Sequence, residues 1–256
     1  MMALLHADFL HLPIAHRALH DRAAGRPENS RAAVRAAVKA GYGIEIDVQP
    51  SSDGVAMVFH DYDLRRLTGV GGRVAALTAA DLSSRRLLDA EDGIPTLVEV
   101  LEIVGGKVPL LIEIKDQDGA LGPAVGGLEL AVAGALKGYA GPVAVMSFNP
   151  HSVAAFHRAA PDVAVGLITS SYRLKDWPLI PAATRDHLRE IPDYNRTGAA
   201  FISHEVGDLA RPRVAELRAK GARILCWTVR TPEAERIARQ HADNITFEQY
   251  LAPFPA

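Results

Sequence analysis

Two short segments of the chain concentrate charge where a fold has to bury it. Ile44-Glu45-Ile46-Asp47-Val48 and Leu111-Ile112-Glu113-Ile114-Lys115 both alternate aliphatic with ionisable residues. In a β-strand that alternation puts Glu45 and Asp47 on one side, and likewise Glu113 and Lys115, while Ile44, Ile46 and Val48 face the other way. Successive charges on the inner face of a buried strand are costly without a partner. Three carboxylates converging from two strands find that partner in a hard divalent cation. Cα atoms two residues apart on a strand are about 7 Å apart, so both carboxylates can lean onto one ion that takes oxygens at roughly 2.0–2.6 Å. An all-oxygen donor set favours Mg²⁺ or Ca²⁺ over zinc, and suits either of the two. Arg17 and Lys115 add a fork-shaped guanidinium and a point-charge ammonium, which suit a phosphate oxyanion. His16 and His60 can serve as general base and general acid, the work imidazole side chains commonly do. The chemistry implied is a metal site for phosphate chemistry.

Such side chains have to be held at one rim, and the rest of the sequence supplies a frame. Short β-branched runs predict strands over 12–16, 43–48, 110–114, 143–147, 163–169, 199–203, 223–228 and 243–246. Longer Ala/Leu/Arg-rich stretches between them predict helices over 30–40, 96–104, 126–136, 150–160, 211–220 and 232–240. Alternating strands and helices argue for a parallel sheet, and eight units argue for closure into an α/β (β/α)8 TIM barrel, taken as a single domain over residues 1–256. Capping signals agree: Asn29-Ser30 before one helix, Thr96 with Glu99 as a capping box, and Asn149-Pro150 opening a third. Gly141 and Gly221 stand where a helix-ending glycine belongs. Two connections are irregular. Residues 53–93 read as a small excursion after the second strand, with a strand-like run over 55–59. Residues 170–198, with Tyr172 and Trp177, read as a binding loop.

In a parallel barrel the active site lies at the carboxyl ends of the strands. His16-Arg17, Glu45 with Asp47, Glu113 with Lys115, and Trp227 then share one rim, and His60-Asp61 can fold back over it. Trp227 reads either as a wall of the site or as barrel filling, and Glu28-Asn29 reads as a helix cap. The remaining histidines read as incidental, with His204 the nearest of them to the rim. Cys226, beside Trp227, should point away from the barrel axis as a buried thiol.

Composition narrows the class. The chain has 256 residues, 48% hydrophobic and 23% charged, with a formal net charge of −2 and no long basic run, which argues against a nucleic-acid partner held by phosphate neutralisation. One cysteine excludes an intrachain disulfide framework and fits a reducing compartment. The first residues carry no basic segment, and no stretch approaches a membrane span, so stable membrane insertion is not expected and a cytoplasmic location is.

The ordered set Ile14-Ala15-His16-Arg17, Pro27-Glu28-Asn29-Ser30, Glu45-Ile46-Asp47-Val48, Asp53-Gly54, His60-Asp61, Leu64 with Arg66-Leu67-Thr68, Ile94-Pro95-Thr96-Leu97 and Glu113-Ile114-Lys115 resembles the glycerophosphodiester phosphodiesterase family. The likeness is dense in the N-terminal half and continues thinly through Ser147-Phe148 and Trp227-Thr228. It implies a metal-dependent barrel that splits small-molecule glycerophosphodiesters into glycerol 3-phosphate and an alcohol. By resemblance Glu45, Asp47 and Glu113 bind one divalent cation, His16 and His60 form the acid/base pair, Arg17 and Lys115 hold phosphate, and Trp227 lines the substrate pocket. The chain departs from the family pattern in three places. Ala18 stands where glycine is usual, implying an ordinary or slightly strained backbone, since glycine is the residue that freely takes φ > 0. The loop over 20–26, with His20-Asp21, differs. The last strand ends Ile245-Thr246-Phe247-Glu248, where Thr-Asp and a following proline are common. Two rival readings go with the likeness: a lysophospholipase D-like phosphodiesterase acting on lipids, and a non-catalytic phosphodiester-binding barrel.

Overall fold

The computed structural model describes residues 3–255. Nine strands form in chain order: β1 Ile14–Ala15, β2 Gly43–Pro50, β3 Ala56–Val58, β4 Leu110–Ile114, β5 Val143–Ser147, β6 Ala164–Thr169, β7 Phe201–Glu205, β8 Arg223–Val229 and β9 Asn244–Phe247. Ten α-helices accompany them: α1 Asp8–His11, α2 Arg31–Ala40, α3 Arg65–Thr68, α4 Ala79–Ser84, α5 Leu97–Val104, α6 Gly127–Ala135, α7 Pro150–Ala159, α8 Ala182–Arg189, α9 Pro212–Ala219 and α10 Pro232–Ala238. Strand order is β1-β9-β8-β7-β6-β5-β4-β2-β3, and a β1–β2 pairing closes the ring. All pairings within the ring are parallel; only β3, which lies against β2, is antiparallel. The barrel expected from the alternating pattern is therefore the fold.

Period-two alternation separates two cores. Ile44, Ile46, Val48, Ile112 and Cys226 face outward into the layer filled by Val34, Val100, Val104 and Phe156 from the helices. Ile14, Leu111, Ala144, Met146, Ile168, Phe201 and Leu225 fill the interior, closed at the amino end by Phe9 of α1. Gly166 is required there, because a Cβ on it would lie 2.3 Å from the Phe201 ring. Burial pushes the Cys226 thiol pKa up to about 12, so it is an inert packing group.

The helix starts follow their capping residues. Ser30, Thr96 and Asn149 each accept a backbone N–H at the first turn of α2, α5 and α7, and Thr96 with Glu99 completes a capping box. Gly221 has the expected positive φ of 96°, but the left-handed glycine after α6 is Gly138 rather than Gly141. Gly141 instead packs on Gly106, whose Cα would lie 2.5 Å from an added Cβ. Strand β7 begins two residues later than expected: Ala199 N–H still closes the preceding turn on the Tyr194 carbonyl, and Ala200 N–H, which donates to the Val165 carbonyl, leads into the strand.

The excursion after β2 is more ordered than its weak periodicity suggests. Met57, Phe59, Leu64, Leu67, Val74, Leu82, Leu87 and Ile94 form a separate small core. Within 170–198 the structure adds α8, whose single buried residue, Leu188, is too little apolar signal to mark a helix. Leu188 joins Leu121, Tyr172 and Ile180 beneath Phe148 and Trp177. No helix among the described residues is long and apolar enough to cross a membrane.

Candidate active site

Strand alternation delivers the carboxylates. Asp47 pairs in register with Glu113 across the β2–β4 ladder, and Glu45 follows two residues behind Asp47 on the same face. One oxygen from each of Glu45, Asp47 and Glu113 lies within 4.8 Å of the others, and all three residues are buried. Glu45 Oε2 accepts the Arg17 backbone N–H at 2.8 Å, whereas Glu45 Oε1 is buried without any partner. A buried, unpartnered carboxylate oxygen facing two more carboxylates is the donor set a hard divalent cation satisfies, so these residues fit such an ion.

The electrostatics point the same way. Burial pushes the Glu45 carboxyl well above the usual range, and the charges of Asp47 and Glu113 add to it. Burial raises Glu113 as well, against the pull of Lys115. Asp47 goes the other way: burial would raise it, but Lys115, His60 and Arg17 hold it well below the usual range. Lys115 Nζ donates to Glu113 Oε1 and contacts Asp47 Oδ1, each at 2.6 Å, and those two charges outweigh its burial and keep it protonated.

His16 and Arg17 follow the last residue of β1, where the chain turns sharply. Arg17 and Ala18 both take positive φ, 51° and 64°. Of the two conformations expected at Ala18, the strained one is present and the ordinary one is not: it is left-handed, at a cost of about 1–2 kcal/mol for a residue with a Cβ. The turn is held by Ala18 N–H donating to the Glu45 carbonyl and Asn29 N–H to the Arg17 carbonyl, both at 2.9 Å. It aims the Arg17 amide at Glu45. The Arg17 guanidinium donates to Glu28 Oε1 at 2.8 Å and lies 3.6 Å from Asp47 Oδ2. Glu28 and Asn29 are therefore not helix caps. Glu28 ties Arg17 to Arg66, and the Asn29 amide donates to Asp47 Oδ2 at 2.8 Å while accepting its backbone N–H. Ser30 alone is the cap.

The two histidines are oriented alike. His16 Nδ1 lies 2.6 Å from Glu248 Oε2, and Arg230 Nε donates to Glu248 Oε1 at 2.7 Å. His60 Nδ1 lies 2.7 Å from Asp61 Oδ1, and Arg66 Nε donates to Asp61 Oδ2 at 2.6 Å. Burial would raise both carboxylates, but their histidine and arginine partners hold them well below the usual range. An ionised carboxylate only accepts, so Nδ1 carries the hydrogen in both rings and Nε2 remains for the cavity. Burial lowers the His16 pKa, against the hydrogen bond its Nδ1–H donates to Glu248, and so favours the neutral ring. His60 is brought over the rim by the excursion: Phe59 N–H donates to the Asp47 carbonyl and the Gln49 amide to the His60 carbonyl.

One cavity of about 140 Å³ is lined by His16, Arg17, Glu45, His60, Glu113, Lys115 and Trp227. Of the catalytic, phosphate-binding and metal residues expected from sequence, only Asp47 does not line it, standing buried beside Glu45 and Glu113. Trp227 is a wall: its ring packs edge-on to Phe148 at 5.5 Å and its Nε1–H donates to the Ser203 carbonyl. His204 is not at the site. It is fully buried, with Thr169 and Asp208 as neighbours. Sequence reasoning missed Glu248 and Arg230. Glu248 stood in view as the odd ending of the last strand, but nothing in the chain links it to a histidine 232 residues away.

A closed barrel whose rim gathers an acidic cluster, two carboxylate-held histidines and cations defines a hydrolase built for phosphoric diesters. The model of the glycerophosphoryl diester phosphodiesterase family matches residues 16–247, and the chain belongs to that family. It is 30% identical to a glycerophosphodiester phosphodiesterase of Caldanaerobacter subterraneus subsp. tengcongensis over 249 residues, 91% of this chain and 92% of that one. Among solved structures, it is similar to an Oleispira antarctica phosphodiesterase in complex with the product sn-glycerol-3-phosphate (TM-score 0.75, 24% identity, 92% and 93% of the two chains). It is likewise similar to a Thermotoga maritima glycerophosphodiester phosphodiesterase (TM-score 0.70, 24% identity, 93% and 94% covered).

Proposed function

We propose that this enzyme hydrolyses glycerophosphodiesters to glycerol 3-phosphate and an alcohol by way of a cyclic phosphate. The observation that carries the reading is the pair of histidines, each oriented by its own carboxylate, lining the same cavity as the acidic cluster. Glu45, Asp47 and Glu113 would hold one divalent cation, Mg²⁺ or Ca²⁺, and the chemistry it supplies when bound is a lowered pKa for a nearby hydroxyl. His16, whose burial favours the neutral ring, takes the proton of the glycerol 2-hydroxyl as that oxygen attacks phosphorus. His60 gives a proton to the departing alcohol oxygen as its bond to phosphorus breaks. In the second step water attacks phosphorus, the bond to the 2-oxygen breaks, and the two histidines exchange roles. Arg17 and Lys115 bear on the phosphate oxygens, and Trp227 limits where the rest of the substrate lies. The sn-glycerol-3-phosphate held by the Oleispira antarctica relative is the product this scheme releases.

A second reading, a lysophospholipase D-like activity, is favoured by one feature: Leu174 and Leu179 are exposed on the segment that brings Trp177 against Phe148 of the cavity wall. A barrel that only binds phosphodiesters has no use for two oriented proton carriers. The test is release of glycerol 3-phosphate from a panel of glycerophosphodiesters and lysolipids, in chelator and after adding back Mg²⁺ or Ca²⁺. His60→Ala should abolish release while leaving metal affinity intact. Metal-independent release, or unchanged turnover by His60→Ala, refutes the scheme, and release from lysolipids alone selects the second reading.

A further inference from the structure

His16 and His60 reach the cavity by different routes. His16 directly follows β1 and rides on the closed ring. His60 belongs to the excursion, which packs around a core of its own. Three tethers hold the backbone of this segment to the barrel: Phe59 N–H donates to the Asp47 carbonyl at 2.9 Å, the Gln49 amide to the His60 carbonyl at 3.1 Å, and the Tyr62 hydroxyl to the Asp116 carbonyl at 2.6 Å. None of them touches the imidazole. Its hydrogen-bond partner is Asp61, at 2.7 Å from Nδ1, and Asp61 has one other side-chain partner among the described residues, Arg66.

Arg66, on α3, forks in two directions. Its Nε and one amino group donate to the two oxygens of Asp61, at 2.6 and 2.9 Å. Its two amino groups donate to the two oxygens of Glu28, at 2.7 and 2.8 Å. Glu28 lies between β1 and α2, and its Oε1 also accepts from Arg17 at 2.8 Å. Burial would raise the Glu28 pKa, but Arg66 and Arg17 hold it below the usual carboxylate range, so both its oxygens accept. An unbroken line of hydrogen bonds thus runs from the His60 ring through Asp61, Arg66 and Glu28 to Arg17, and it passes from the excursion to the barrel through one guanidinium. We infer that Arg66 is a positioning residue that fixes the His60 imidazole relative to the phosphate borne by Arg17, and so acts on the proton given to the departing alcohol, a role that rests on the hydrolysis proposed above. A planar guanidinium has two edges for two carboxylates; an ammonium is a point charge and has none.

The test separates leaving groups, reading kcat/KM for release of the alcohol by the metal-supplied enzyme. Glycerophosphoethanol needs a proton on its departing oxygen, whereas glycerophospho-p-nitrophenol releases a phenolate that is stable without one. A general acid is worth roughly 10²–10⁴-fold, and a misplacement of about 1 Å can cost about 10²-fold. Arg66→Met should therefore lose about 10–100-fold on the ethanol diester and about threefold or less on the nitrophenol diester. Arg66→Lys keeps the charge but not the fork, so it should follow Arg66→Met, and it decides by the same ratio where the methionine variant fails to fold. The readout is the ratio between probes, which a general loss of folded enzyme does not move. Equal loss on both probes, or no loss on either, overturns the inference and leaves the hydrolysis reading intact. No turnover of either probe by the wild type overturns both.

Discussion

Replacing Glu45 by Gln should stabilise the protein in chelator while destroying its response to metal. Glu45 is almost wholly buried, one carboxylate oxygen has no partner, and its neighbours Asp47 and Glu113 are also acidic. An unsatisfied buried acceptor costs about 1–3 kcal/mol, more when charged. Glutamine keeps an oxygen for the Arg17 amide and turns the orphan into a donor facing two carboxylates. For a chain of this size about 1 kcal/mol corresponds to roughly 2–4 °C in Tm, so Glu45→Gln should melt several degrees above the wild type at pH 7 in chelator. The pH dependence has a definite sign. Glu45 and Glu113 have raised pKa values in the folded state. Their protonation therefore adds stability as pH falls from 7 toward the ordinary carboxylate range, and that stability is lost again as pH rises through the raised values. Glu45→Gln should flatten this gain. With metal at about 100 times Kd, the wild type should gain about 2.7 kcal/mol and the variant far less. Thermal melts in chelator at pH 5 and 7, followed by a metal titration, decide it. A Glu45→Gln variant that melts below the wild type in chelator refutes the reasoning, because the carboxylate would then already be compensated inside the protein.

Glu248→Gln removes the charge that opposes the burial shift on His16, so the limb of the pH–rate profile belonging to His16 should move to lower pH; an unmoved limb shows that Glu248 does not act through His16. At Ala18, with φ of 64° and 1% exposure, valine should cost about 2 kcal/mol or more, since β-branching and overpacking act together. Ala18→Gly should stay within about 1 kcal/mol, because relief of left-handed strain offsets the lost methyl; chemical denaturation measures both, and a tolerated valine would mean the turn can relax.

What could be read without coordinates was whatever short-range periodicity encodes. The alternation in Ile44–Val48 and Leu111–Lys115 placed three carboxylates and a lysine on inner faces, and the eight spaced strands closed the barrel that brings them together. Thr96 with Glu99 and Asn149-Pro150 announced helix starts because a cap involves neighbours three or fewer residues away. The excursion after the second strand hid its own core, since Met57, Leu82 and Ile94 meet only through the fold. Glu28 and Asn29 passed for caps because their partners, Arg17 and Asp47, lie 11 and 18 residues off. The left-handed turn at Arg17 and Ala18 is imposed by Glu45, whose carbonyl and carboxylate take the Ala18 and Arg17 amides.

The sequence by itself determined the ring of strands, the acidic cluster on its inner face and the two histidines near its rim, because local alternation sets which way each of those side chains points. The tertiary structure alone decided which carboxylate steadies each histidine, which cations are already spoken for, and that Arg66 joins Asp61 to Glu28. Asp61 stands next to His60 in the chain, but Glu248 lies 232 residues from His16 and Glu28 lies 11 from Arg17, and their hydrogen bonds at 2.6–2.8 Å exist only once the barrel has closed.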